Sequence, residues 1–148
     1  MLSGFHMVNL VILGLRIIIF HETRGGKMHK ILVVDDDENI LIELQDMLEM
    51  EGYDVDVALN VPDALSIIEK DINYSLCIID MEMPGLRGCD LYREVVKNYG
   101  VDKLKFIVVS GNADIAENTY ADMSGLIWLK KPVDPDLFCE IIAKEISR

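Results

Sequence analysis

Four apolar segments of this chain end in side chains suited to phosphoryl chemistry. Cys77-Ile78-Ile79 ends in Asp80, which opens the loop Met81-Glu82-Met83-Pro84-Gly85. Ile31-Leu32-Val33-Val34 ends in Asp35-Asp36-Asp37, the run up to Val109 ends in Ser110-Gly111, and Leu126-Ile127-Trp128-Leu129 ends in Lys130-Lys131-Pro132. An isolated charge in an apolar interior is too costly to keep, so a carboxylate at the end of a buried strand is exposed, paired or used. Crowded together, Asp35, Asp36 and Asp80 repel by about 4 kcal/mol per pair, for a separation of about 4 Å and an effective dielectric near 20. A divalent cation removes that penalty, and a few carboxylates plus water hold Mg²⁺ when a phosphoryl group completes its shell. Lys131 adds a mobile positive charge for a phosphoryl oxygen and Ser110 adds a hydroxyl. Carboxylate, metal, lysine and hydroxyl together describe a phosphoryl-accepting site.

These residues meet only if the four segments are parallel strands whose carboxyl ends share one sheet edge, the edge at which open α/β sheets bind ligands. The intervening periodicity supports that arrangement. Ile31–Asp35 is a continuous apolar run typical of a strand buried on both faces. Ile40, Leu41, Leu44, Met47 and Leu48 then share one face of a helix over 38–51 that Gly52 ends. Tyr53–Ala58 alternates as a shorter, peripheral strand, and Asn60 and Pro62 open a second helix that runs to Lys70. Ser75–Asp80 is the third strand, followed by a helix over 88–98 burying Leu91, Val95 and Val96. Leu104–Val109 is the fourth strand, Ala113–Met123 a short polar helix and Leu126–Leu129 the fifth strand. Asp134-Pro135-Asp136 caps a last helix carrying Leu137, Phe138, Ile141, Ile142 and Ile146. The order is (βα)5. Right-handed crossovers then predict a doubly wound, five-stranded parallel sheet of the flavodoxin-like type, with helices on both faces.

The 148 residues suit one domain, taken as 28–148, with an extension over 1–27. Fourteen basic and 26 acidic residues give a net charge of −12, which repels a phosphate backbone and argues against direct nucleic-acid binding. The extension carries Arg16, Arg24 and Lys27 against Glu22, or +2, so 28–148 holds −14. Cys77, Cys89 and Cys139 have no C-x-x-C spacing, which points to reduced thiols in a cytoplasmic protein. His6, His21 and His29 precede or touch the first strand, so from that strand onward no histidine is available for acid/base or triad chemistry. Asp37 and Glu38 read as charges favoured at a helix N-terminus, Lys130 as a solvated neighbour of Lys131, and the methionines as packing.

Val8 to Phe20 is apolar but interrupted by Asn9, Gly14 and Arg16, too short and too charged for a spanning helix. It also lacks the basic start and cleavage site of a signal peptide. Translation is expected to begin at Met28, since Arg24-Gly25-Gly26-Lys27 can be encoded by purine-rich codons resembling a ribosome-binding sequence. The alternatives are a membrane or interfacial tether and an additional structured element.

Val33-Val34-Asp35-Asp36, Ile79-Asp80-Met81-Glu82-Met83-Pro84-Gly85, Val108-Val109-Ser110-Gly111 and Leu129-Lys130-Lys131-Pro132 together resemble the signatures of the two-component response-regulator receiver domain, in order and spacing, over about residues 29–147. With Arg148 directly after the fifth helix, the resemblance is to a stand-alone, chemotaxis-regulator-like receiver. It implies that Asp80 accepts a phosphoryl group from a phosphohistidine on a sensor histidine kinase or histidine phosphotransfer protein. Asp36 and Asp80 would then bind Mg²⁺ through their side chains, Glu82 through its backbone carbonyl and Asp35 mainly through water. Lys131 would pair with the phosphoryl group, before a cis bond to Pro132. Ser110 would turn toward a phosphoryl oxygen and Trp128 would occupy the rotating aromatic position, altering the surface of the fourth helix, fifth strand and fifth helix read by a downstream protein. Trp128 replaces the commoner Tyr or Phe and Gly111 the commoner Ala. Arg87 stands where an acidic residue is common, and Glu82 and Asn112 occupy positions that tune the phosphoryl lifetime. Such a protein modifies itself, with slow self-hydrolysis, and is not an enzyme for an external substrate. One competing reading is an interaction module that is no longer phosphorylated. The other is an aspartate-nucleophile phosphatase of the haloacid dehalogenase type, for which Asp80 follows the wrong strand.

Overall fold

The computed structural model describes residues 28–112 and 119–148, with the backbone alone of 10–13 and 16–19. Leu10–Leu13 (β1) and Arg16–Ile19 (β2) form a separate antiparallel pair; the rest of the expected extension before Met28 lies outside the described residues. The domain then alternates: β3 Lys30–Val34, α1 Glu38–Met50, β4 Asp54–Ala58, α2 Val61–Lys70, β5 Leu76–Asp80, α3 Gly88–Tyr99, β6 Phe106–Ser110, β7 Ile127–Lys130 and α4 Pro135–Ile146. Its five strands are parallel in the order β4-β3-β5-β6-β7, which is 2-1-3-4-5 within the domain and the flavodoxin-like arrangement.

Two cores, one on each face, explain the continuous apolar strands. Ile31, Val33, Leu76, Ile78, Ile107 and Val109 pack on Leu41 and Leu48 of α1 and on Phe138 and Ile142 of α4. Their alternates Leu32, Val34, Cys77, Ile79, Phe106 and Val108 pack on Val61, Ala64 and Ile68 of α2 and on Leu91 and Val95 of α3. Each side chain of this size contributes about 1.5–3 kcal/mol on full burial, and a one-residue slip would move every strand residue to the wrong core. Register is therefore held by packing, and register positions the site. Val34 pairs with Ile79, Asp80 with Val109 and Ser110 with Lys130. Asp35, Asp80, Ser110 and Lys131 consequently emerge along one edge.

Helix ends follow local chemistry. The side chains of Asp37, Asn60 and Asp134 accept hydrogen bonds from the N–H groups of Asn39, Asp63 and Leu137 at the starts of α1, α2 and α4. Gly52 follows α1 at φ 92°, a conformation side chains disfavour.

Three local expectations change. The fourth domain strand begins at Phe106, because Leu104 is buried in the core on the α2/α3 face ahead of the ladder. Leu137 is half exposed, since Phe138 and Ile142 one turn apart take the buried stripe of α4. Of the expected helix over 113–123, residues 113–118 lie outside the described ones, and Ala121–Met123 forms a single 3-10 turn. Among the described residues, no helix is long and apolar enough to cross a membrane.

Candidate functional site

The edge of the sheet at β3 and β5 is where the chain order reverses, the place where a crevice forms between helices on opposite faces. Three carboxylates lie there. Oxygen atoms of Asp35, Asp36 and Asp80 all fall within 4.8 Å of one another, with Asp35 and Asp80 buried and Asp36 exposed. Lys131, reaching in from beyond β7, bridges the two buried acids: its Nζ lies 3.1 Å from Asp80 Oδ1 and 3.2 Å from Asp35 Oδ2. The peptide joining Lys131 to Pro132 is cis. Backbone amides complete the shell, the Asp37 N–H donating to Asp35 Oδ1 at 2.9 Å and the Glu82 N–H to Asp80 Oδ1 at 3.2 Å.

Burial raises the pKa of Asp80, aided by the neighbouring Asp35 charge, and the Glu82 amide and Lys131 only partly counter it. At Lys131 burial opposes the ammonium, but its hydrogen bond to Asp80 and the charges of Asp35 and Asp80 prevail and raise its pKa. An ion pair ordinarily lowers the pKa of its acid. Here burial outweighs the one ammonium, which is shared between two buried carboxylates. An all-oxygen set with an exposed member and a deficit of positive charge fits a hard divalent cation such as Mg²⁺.

Ser110 is 3 % exposed at the end of β6. Its hydroxyl donates to Glu82 Oε1 at 3.4 Å, while the Gly111 N–H donates to Glu82 Oε2 at 3.3 Å and the Asn112 N–H to Ser110 Oγ at 3.1 Å. The Glu82 carboxylate thus lies with the β6 end and outside the acidic triad. Half-buried Trp128 donates its indole N–H to the Met123 carbonyl at 3.1 Å and stacks on Tyr120, with ring centroids 5.9 Å apart and planes at 21°. Arg87 reaches the Tyr120 hydroxyl at 3.3 Å, and Arg93 on α3 grips Asp122 at 2.7 and 3.0 Å. These contacts tie α3 to the segment entering β7.

Sequence reasoning brings together Asp35, Asp36, Asp80, Lys131 and Ser110 as a group. It misses Gly88, the first residue of α3, where a Cβ would stand 2.6 Å from the Asp80 carbonyl oxygen. A glycine costs about 1 kcal/mol in a helix, so one at a helix start with no turn to make was a readable sign of close backbone packing. It also misses the Tyr120–Trp128 stack, which depends on how two separate segments pack.

Known proteins resemble this chain in sequence and fold. The chain is 38% identical over 106 residues to an uncharacterized 14.6 kDa protein of Leptolyngbya boryana, covering 71% of this chain and 80% of that one. It is 27% identical over 127 residues to the alginate biosynthesis transcriptional regulatory protein AlgB of Pseudomonas aeruginosa, covering 85% of this chain but spanning only 28% of AlgB. The response regulator protein TrrA of Thermotoga maritima, solved in complex with Mg²⁺-BeF, superposes with a TM-score of 0.70 at 31% identity, over 80% of this chain and 99% of TrrA. Residues 31–143 match the response regulator receiver domain, from the first strand of the sheet into its last helix, and on that match the chain belongs to the receiver family of two-component signalling.

Proposed function

We propose that this chain is a phosphoacceptor in which Asp80 takes a phosphoryl group from a phosphohistidine on a sensor histidine kinase or phosphotransfer protein. The observation that carries this reading is the single ammonium of Lys131 shared between the buried carboxylates Asp80 and Asp35, at 3.1 and 3.2 Å. That set is underneutralised, a deficit that a divalent cation would correct before an anionic phosphoryl group arrives. An Asp80 oxygen forms the new P–O bond while the P–N bond to the partner's imidazole breaks and its electron pair leaves with the ring. Asp35, Asp36 and Asp80, with the Glu82 backbone carbonyl, would hold Mg²⁺, which would supply charge neutralisation for the phosphoryl oxygens. Lys131 pairs with one of those oxygens and orients the group. A cavity of about 370 Å³ opens beside Asp80 and Lys131, lined by Ile40, Leu44 and Met47 of α1 and Phe138 of α4. The partner must bring its phosphohistidine to Asp80, and this apolar wall receives the segment that carries it.

The output is a shift in population. The negative charge gained at Asp80 draws Ser110 toward a phosphoryl oxygen and loosens the hold of Met123 and Tyr120 on Trp128, changing the surface around β7 and α4. No external substrate turns over in this reading, and the free cysteines Cys77, Cys89 and Cys139 support a reducing, cytoplasmic setting for it.

Trp128 is the single tryptophan of the chain, so it reports the site directly. Mg²⁺ titration followed by beryllofluoride is expected to change its fluorescence in the wild type, and the beryllofluoride step is expected to vanish in Asp80→Asn. A beryllofluoride response that survives that substitution would remove Asp80 from the role.

A further inference from the structure

Glu82 carries a carboxylate for which the chemistry above finds no use, since only its backbone carbonyl is assigned to the metal. Building on the phosphoacceptor reading, we propose that Glu82 is a positioning residue that occupies the phosphoryl group's hydrogen-bond donors and must release them before the switched state can form. Its two oxygens are captured separately, Oε1 by the Ser110 hydroxyl at 3.4 Å and Oε2 by the Gly111 N–H at 3.3 Å. Two donors converging on one anion form an anion seat. That seat adjoins Asp80, because the sheet pairs Asp80 with Val109 and places Ser110 and Gly111 immediately beyond.

A hydroxyl and an amide each have one proton to give, so the pair cannot bind Glu82 and a phosphoryl oxygen together. A phosphoryl group on Asp80 would also face the Glu82 charge across the same seat. Gly111 permits the arrangement: a Cβ there would stand 3.0 Å from Glu82 Oε2 and 3.5 Å from Oε1. Glycine at 111 thus leaves room for the carboxylate at 82, which a Cβ would push back by a few tenths of an ångström, and the two residues form one device. Releasing the carboxylate strands a buried hydroxyl unless another anion replaces it, so the contact stabilises the unmodified state and raises the threshold for switching.

Two substitutions dismantle the device in different ways. Glu82→Gln removes the charge, and Gly111→Ala retains the charge but crowds its seat. Glu82→Gln is expected to lower the beryllofluoride concentration at half-saturation about tenfold in the presence of Mg²⁺, and Gly111→Ala to lower it by less, read from Trp128 fluorescence on the full chain. In the unmodified protein, Glu82→Gln is expected to move the Gly111 amide proton upfield in NMR spectra as its charged acceptor is lost, a change that general loosening of the loop would not confine to that residue. A wild-type beryllofluoride response matched by both variants, or an unmoved Gly111 resonance, would overturn the competition and leave the phosphoacceptor reading intact. Absence of any response in the wild type would overturn both.

Discussion

Burial and the Asp35 charge favour the protonated form of Asp80, whereas the Glu82 amide and the Lys131 ammonium favour the carboxylate, and the balance leaves its pKa above the ordinary 3.8. The sign of the pH dependence follows. Well below 3.8 the acid is protonated in both folded and unfolded chains and contributes nothing. As pH rises from there through the raised folded value, the folded state binds its proton longer, so stability is lost across that window and stays lost above it. Asp80→Asn is therefore expected to stabilise the metal-free protein at neutral pH and to make no difference at the acid end. Thermal unfolding in chelator over a pH series checks this, and a gain independent of pH would assign the effect to something other than ionisation. Lys131→Ala acts in the opposite direction, because it leaves Asp35 and Asp80 facing each other unneutralised. A loss of about 1–3 kcal/mol in urea unfolding is expected in chelator. The loss should shrink when Mg²⁺ is added, since a bound cation stabilises the fold by mass action.

Among the elements, α3 packs its first residue directly against the backbone of the site. A Cβ at Gly88 would meet the Asp80 carbonyl oxygen at 2.6 Å and the Met81 Cα at 3.3 Å, both backbone atoms that cannot swing aside. Gly88→Ala is expected to shift the start of α3 or the Asp80 loop and to weaken Mg²⁺ binding measured by Trp128 fluorescence. The cap of α2 provides the contrast. Asn60 Oδ1 accepts the Asp63 N–H at 2.8 Å, a bond within the helix start that includes none of the clustered carboxylates Asp35, Asp36 and Asp80. Asn60→Ala should cost about 1 kcal/mol of stability without altering Mg²⁺ affinity. Elements were legible where a local signal and a packing signal coincided: Asn60-Val61-Pro62 names a cap, and the run from Ile31 to Val34 names a strand covered on both faces. They were less legible where tertiary packing decided alone. Leu104 is apolar because it fills a core, and Leu137 lies beside the buried stripe of its helix, distinctions that depend on which surface the neighbouring element presents.

On the scale of the whole molecule, the candidate site is a product of strand order and register. Residues as far apart in sequence as Asp35 and Lys131 meet because parallel strands deliver their carboxyl ends to one edge and packing on both faces prevents a slip. This is why that site was legible as a group of strand-end charges, whereas the Glu82 seat was not: strand ends follow from periodicity, but the direction of one glutamate side chain follows from the finished fold. The same organisation joins the acidic edge to Trp128, since Ser110 pairs with Lys130 two residues beyond the indole. The most direct measurement of whether this edge accepts a phosphoryl group is the intact mass of the full chain after incubation with acetyl phosphate and Mg²⁺. The expected result is a gain of one phosphoryl group that is lost with chelator and absent in Asp80→Asn. An unchanged wild-type mass, or an equal gain in Asp80→Asn, would contradict it.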